Sequence, residues 1–322
     1  MQKDSVVLDF STEGAQPARL DEEQEFVVQQ SCSTLVEAGP GSGKTRVLTE
    51  KARKVIAEGK SILCLCFTRA AAAEMISRVP MLPATTIHSY CCGSVGWKDE
   101  WGYQGLLYRF LATKEKKKYD WILIDEVQDL NHMEFDVVLS IVGDRVFAVG
   151  DPYQSIYGFQ GAMGPEVMER LEKKVCKKIP LKNNYRSCQE VLDKLERIYE
   201  RKLVSKAVKD TGKTAILFRK NDDLFHVSRY LNEEGIAHTV RLSAEYGNNR
   251  EYCVGKANKI MLSTIHSSKG REYDHVGVYD WYPDEAGEET RVYYTAIARA
   301  SKTFRDLFTL KDIKQEILAW SN

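Results

Sequence analysis

The segment with the most definite chemistry is Ala38-Gly39-Pro40-Gly41-Ser42-Gly43-Lys44-Thr45. An apolar run, Thr34 to Ala38, precedes it, and a segment of helical spacing, Thr45 to Glu58, follows. Glycines at 39, 41 and 43 let backbone N–H groups approach an oxyanion, and the helix N-terminus behind them adds positive potential. The expected ligand is the polyphosphate of a nucleotide. Gly39, Gly41, Ser42 and Gly43 would line it, Lys44 would hold the β- and γ-phosphates, and the Thr45 hydroxyl would bind Mg²⁺.

A second group complements the first. Trp121-Ile122-Leu123-Ile124 is an apolar run that ends in Asp125 and Glu126. A carboxylate at a strand end reaches the metal's shell, and its neighbour can polarise a water as general base. In isolation such a pair is as readily a solvated strand end. After a phosphate loop it points to nucleotide hydrolysis, since transfer to an organic acceptor has no need of the second acid.

Positioning these groups takes an alternation of short apolar strands and amphipathic helices. Strands are expected at Thr34–Ala38, Ser61–Phe67, Trp121–Ile124 and Arg145–Val149, with helices at Thr45–Glu58, Ala70–Val79 and Glu134–Val142. A second series has strands at Ile179–Lys182, Ala215–Arg219, His238–Leu242, Lys259–Thr264 and His275–Tyr279. Its helices fall at Cys188–Tyr199, Asp223–Glu234, Glu289–Ala300 and Lys311–Trp320. The order predicts an α/β fold of two lobes, each a parallel sheet covered by helices on both faces. The division is expected as residues 1–177 with a small insertion at 89–119, and residues 178–322 with a loop at 243–257.

Composition bounds the rest. The 322 residues suffice for two compact domains, and 43% are hydrophobic. A formal net charge of zero excludes a globally basic coat and leaves room for a local basic groove. None of the eight cysteines forms a CxxC pair, so buried thiols in a reducing cytoplasm are expected, with no zinc site. No run of 18 apolar residues suggests a membrane span, and the acidic N-terminal segment does not resemble a secretory signal.

The remaining motifs carry a family resemblance. Asp125-Glu126-Val127-Gln128-Asp129 resembles the DExQD signature of UvrD/Rep/PcrA-like superfamily 1 helicases. Gly150 to Ala162 is similar to their motif III, Asn184-Tyr185-Arg186-Ser187 to motif IV, Thr264 to Tyr273 to motif V, and Tyr293 to Ala300 to motif VI. Leu20 to Gln24, Phe67 to Met75 and Thr86 to Ser89 resemble motifs Q, Ia and Ib. The matches run in family order from about residue 20 to residue 300.

The resemblance implies two RecA-like lobes with an ATP cleft between them, and an ATP-driven motor on single-stranded DNA moving 3′ to 5′. Gln24 would read the adenine edge, with Arg46 and Tyr185 on the faces of the ring. Gln154 would touch the γ-phosphate and the attacking water, Arg186 and Arg299 would act as arginine fingers, and Glu272 would line the cleft. Phe67, Thr68, His88, Ser89, Tyr157, Phe159, His266 and Lys269 would contact DNA, with Phe159 in place of a stacking tryptophan. Read without the family, Phe67 and Tyr157 are ordinary core aromatics, and His88 is a satisfied polar histidine.

Two departures stand out. Gln160 occupies the position where the family has an arginine after the motif III aromatic. The gap at 243–257 is also too short for the large insertion that relatives carry in the second lobe. These leave room for a rival reading, a nucleotide-gated subunit that clamps DNA or a partner without unwinding. An RNA-directed motor is a further alternative, because 2′-hydroxyl discrimination cannot be read from these residues.

Overall fold

In the computed structural model, residues 19–242, 250–256, 259–283 and 287–321 are described. The helices in chain order are α1 (Glu22–Val28), α2 (Lys44–Ala57), α3 (Arg69–Arg78), α4 (Ile87–Val95), α5 (Gly102–Ala112) and α6 (His132–Ile141). They continue as α7 (Pro165–Glu172), α8 (Gln189–Tyr199), α9 (Asn221–Glu233), α10 (Ile265–Ser268), α11 (Glu288–Ile297) and α12 (Leu310–Ser321). The first six strands are β1 (Thr34–Ala38), β2 (Ile62–Cys66), β3 (Ala84–Thr86), β4 (Tyr119–Ile124), β5 (Val142–Gly150) and β6 (Lys177–Leu181). Two short strands follow, β7 (Asn183–Asn184) and β8 (Val204–Ser205). The last six are β9 (Thr214–Phe218), β10 (His238–Leu242), β11 (Arg250–Val254), β12 (Ile260–Thr264), β13 (Tyr273–Tyr279) and β14 (Ala300–Leu307).

Two six-stranded sheets result, ordered β3-β2-β4-β5-β1-β6 and β11-β10-β12-β9-β13-β14. The first is wholly parallel, and in the second only β11 runs antiparallel, against β10. Strand period two explains why both faces are covered. In β2, Leu63 and Leu65 join a core with α5 and α6, while Ile62, Cys64 and Cys66 join one with α2 and α3. The second sheet repeats the pattern. Ala215 and Leu217 of β9 face α8 and α11, and Ile216 and Phe218 face α9 and α12. The α/β class with parallel sheets between helices is as the sequence predicts.

Two expectations need correction. The sequence pattern places the strand near Ile179 in the second lobe, with a boundary at 177/178. It is β6, which pairs in parallel with β1 from Thr34↔Lys177 to Ala38↔Leu181 and completes the first sheet. The chain therefore leaves that sheet only after Leu181. The expected loop at 243–257 contains strand β11, which extends the second sheet at its edge, and its residues 243–249 and 257–258 lie outside the described residues.

The insertion at 89–119 is helical. Leu106, Leu107 and Phe110 of α5 bury against Phe135 of α6, and Tyr103 donates its hydroxyl to Glu134. This small element thus packs on the first lobe. No described helix is long and apolar enough to cross a membrane.

Candidate functional site

The phosphate loop leaves β1 at Ala38 and enters α2 at Lys44, with Gly41 (φ 67°) and Gly43 (φ 84°) in the left-handed region that favours glycine. At Gly41 the requirement is also steric. A Cβ there would lie 2.7 Å from Arg186 Cβ and 2.8 Å from Asn184 Nδ2. The segment after β6 therefore lies directly on the loop. Asn184 is fully buried, donates to Pro40 O at 2.6 Å, and accepts from the N–H groups of Arg186 (2.8 Å) and Ser187 (2.7 Å). Tyr185 N donates to Gly41 O at 2.8 Å.

Helix α1 approaches from the other side. Asp21 and Gln24 form a capping box, and Gln24 Nε2 donates to Ser42 O at 2.9 Å. Asp21 also accepts from Asn183 Nδ2 at 2.9 Å and from the Tyr185 hydroxyl. Gln24 and Tyr185 are thus tied to the loop and to one another through Asp21.

A cavity of about 1040 Å³ opens over this loop. Gly41, Ser42, Gly43, Lys44, Thr45, Arg46, Tyr185 and Glu126 line it, and so do Gln154, Arg186, Lys269, Glu272 and Arg299. Lys44 Nζ rests on its own loop, 3.2 Å from Ala38 O and 3.4 Å from Gly39 O. Arg186 donates from Nε to Glu272 Oε1 at 2.9 Å and from Nη1 to Ala298 O at 3.0 Å. Arg299, between α11 and β14, is buried and donates from Nη2 to Gln154 Oε1 at 2.6 Å. Burial, and then the charge of Arg186, lower the Arg299 guanidinium to about 10. Two like charges held together this way form a natural seat for an anion.

The carboxylates follow β4. Glu126 takes the left-handed conformation (φ 50°), which turns its side chain out of the strand direction. Gln128 Nε2 donates to it at 2.6 Å. Burial opposes charge on Glu126, but the ammonium groups of Lys44 and Lys269 outweigh burial and hold it below the usual range. Asp125 moves the other way, raised by burial and then by the charge of Glu126. Asp125 and Thr45 offer the hard oxygen donors that suit a small divalent cation.

The aromatic residues expected along a polymer track cluster near motif III. Phe67 stacks on Tyr157 with ring centroids 4.9 Å apart, and Phe159 meets His266 edge-on at 5.4 Å. Phe159 is 67% exposed, an unusual state for a large aromatic. His266 accepts no proton readily. Burial, and then Arg219, lower it to about 4, and its Nε2 lies 3.2 Å from Ile156 O.

Other members of that set are engaged with neighbours of their own, and the Lys269 ammonium lies 4.9 Å from the Tyr157 ring centroid. His88 packs on the rings of Trp97 and Tyr103 in the helical insertion. Thr68 caps α3 by accepting from Ala71 N, and Ser89 donates its N–H to Thr86 Oγ1. Lys269 does not present a free ammonium to a polymer. It donates to Asp129 Oδ2 at 2.5 Å and Gln154 O at 2.8 Å, inside the nucleotide-side cavity.

Residues not singled out from the sequence complete the arrangement. Asp151, at the end of β5, is fully buried and accepts from Gln154 Nε2 at 2.7 Å and Arg201 Nη1 at 2.8 Å. Asn184, Asp151 and Gln128 sit inside recognisable motifs, so a motif-wide assignment would have included them. Arg201 lies outside every motif and had no such signal.

Comparison with known proteins agrees with this geometry. A family model described as an AAA domain matches residues 23–160, and one described as a UvrD-like helicase C-terminal domain matches residues 259–304. A probable DNA helicase of Mycoplasma pneumoniae is 29% identical over 241 residues, covering 56% of this chain and 42% of the relative. DNA helicase II of Haemophilus influenzae is 31% identical over 118 residues, covering 33% of this chain and 16% of the relative. The chain thus spans less than half the length of these relatives. Among solved structures, the Pif1 helicase from Candida albicans superposes with a TM-score of 0.55 at 15% identity, covering 94% of this chain and 99% of that one. That likeness speaks for the fold. The match over the second sheet and the relatives point the same way, and the chain is similar to UvrD-like helicases.

Proposed function

We propose that the protein is an ATP-dependent translocase on single-stranded DNA, moving 3′ to 5′ and able to act as a helicase. One observation carries the reading: Lys44, at the start of α2 after β1, and Arg186 and Arg299, from the chain beyond β6, line a single cavity. ATP would fit there with its phosphates on the Gly39–Thr45 loop and its base between Arg46 and Tyr185, near Gln24. Mg²⁺, held by Thr45 and Asp125, would neutralise phosphate charge when bound. Glu126, kept ionised by Lys44, is suited to accept a proton from water. Arg186 and Arg299 would stabilise charge on the transferring phosphate, and such guanidinium groups typically contribute about 10³–10⁵ in rate.

Coupling follows from which sheet supplies which group. Bound triphosphate joins the two sheets through these arginines, and its loss frees them to separate. The motif III turn carries both Gln154 and the aromatic pair Tyr157 and Phe159, so a change at the γ-phosphate would reach the DNA side through one short segment. Phe159 and Phe67 would stack with bases and His266 would approach the strand as a neutral imidazole. The relatives named DNA helicase support DNA as the polymer, and a cytoplasmic location beside DNA goes with it.

Lys269, salt-bridged to Asp129, is better read as a cleft residue than as a DNA contact. The short segment at 243–257 and Gln160 favour the second reading, a nucleotide-gated clamp without strand separation. ATP hydrolysis measured with DNA, RNA and no polymer, followed by unwinding of tailed duplexes of both polarities, tests both. Strong stimulation by single-stranded DNA, lost in Lys44→Ala and Glu126→Gln, is expected. Equal turnover with and without polymer would contradict the motor. DNA stimulation with no unwinding of either duplex would favour the clamp.

A further inference from the structure

Asp151 is a fully buried carboxylate whose partners come from both halves of the chain. On its own turn it accepts from Gln154 Nε2 at 2.7 Å and Tyr153 N at 3.2 Å. Its counter-ion is Arg201, 2.8 Å away, on the segment that follows α8. Helix α8 packs in the second-sheet core, yet Arg201 reaches back to the first sheet. A Cβ on Gly39 would lie 3.5 Å from the Arg201 guanidinium, and Arg201 Nη2 is 3.8 Å from Glu37 Oε1.

The consequence concerns amide orientation. A primary amide has one donating end and one accepting end, so whatever binds one end fixes the other. The Asp151 carboxylate, paired with Arg201 at 2.8 Å, accepts from both of its side-chain partners. It therefore holds Gln154 by Nε2 and turns Oε1 to Arg299, at 2.6 Å. The backbone on the other side works in reverse. Asp151 N–H donates to Gln128 Oε1 at 3.1 Å, which leaves Gln128 Nε2 for Glu126 at 2.6 Å. Both glutamines of the cleft are oriented by one residue.

We propose that Arg201 is a positioning residue for ATP hydrolysis, which holds Asp151 so that the carbonyl end of Gln154 faces Arg299 and the γ-phosphate. The inference rests on the ATPase reading above. Arg201 touches no substrate. It acts through Asp151, whose buried charge has no other cationic partner among the described residues. Without Arg201, Asp151 loses its counter-ion, and the Asp151–Gln154 turn is held to the second half of the chain only through Lys269 and Arg299, so the Nε2 end of Gln154 rests on a less firmly placed acceptor.

The test is a double-mutant comparison in the full chain, reading kcat for DNA-stimulated ATP hydrolysis and the Kd of a fluorescent ATP analogue. Arg201→Gln is expected to lower kcat about tenfold, the scale of one charge-assisted hydrogen bond, with the Kd unchanged. Arg201→Lys should recover part of the loss. In a Gln154→Ala background, Arg201→Gln should cost nothing further, because its route of action is already gone. Losses that multiply, or a kcat untouched by Arg201→Gln, would overturn the proposal. If Arg201→Gln does not fold, Arg201→Lys carries the same comparison. A wild-type chain without ATP turnover would instead overturn the ATPase reading itself.

Discussion

Arg299 donates to Gln154 Oε1 at 2.6 Å, and both side chains are buried. The second sheet therefore contacts the first through a bond between the two groups expected to bracket a γ-phosphate. Arg299→Ala should lower turnover by about 10³-fold or more while leaving nucleotide affinity largely intact. Arg299→Lys should remain poor, because a point charge cannot also serve Thr295 O and Arg271 O as the guanidinium does. Steady-state ATP hydrolysis on both variants checks this.

Asn184 should be one of the costlier polar positions in the protein. Its amide serves Pro40 O, Arg186 N and Ser187 N at full burial. Asn184→Ala leaves those groups unpaired and is expected to cost about 3 kcal/mol of stability, read by urea denaturation. Nucleotide affinity should fall with it, since Tyr185 and Arg186 take their places from this residue.

Phe159 should behave in the opposite way. It is 67% exposed, so Phe159→Ala is expected to change stability by no more than about 0.5 kcal/mol. Affinity for single-stranded DNA should drop by about 1–3 kcal/mol, measured by fluorescence anisotropy. A variant that binds DNA normally would remove Phe159 from the track.

Lys51 gives a pH signature. It is 1% exposed, with its ammonium over the Trp121 ring at 4.1 Å and near the carbonyls of Val28 and Gln30. Burial, and then Lys54, lower it from 10.5 to about 8. Between those values the unfolded chain holds a proton that the folded chain has lost, so stability attributable to Lys51 rises with pH across that window. The difference in stability between wild type and Lys51→Met should follow that slope between pH 8 and 10.5, and a flat difference would contradict it.

What the sequence made legible follows a physical rule. Strand period two and the glycine spacing of the phosphate loop are local signals, and they located β1, β2, β4, β5 and the loop within a few residues. Pairing partners are not local. The run near Ile179 reads equally well in either sheet, and only its register against β1 assigns it to the first. Lys51 drew no reading from the sequence, because nothing in a helical period foretells an aromatic partner from β4. Arg201 and Lys269 have the same cause: a long cation's destination is set by a buried acid far away in the chain, Asp151 in one case and Asp129 in the other.

The central claim is that guanidinium groups from the chain beyond β6 act on a triphosphate held by Lys44. The most direct measurement is single-turnover hydrolysis of ATP with excess enzyme and single-stranded DNA, comparing wild type with Arg186→Ala and Arg299→Ala. The account predicts that each variant binds ATP and cleaves it at least about 10³-fold more slowly. Cleavage at the wild-type rate in both variants would contradict it.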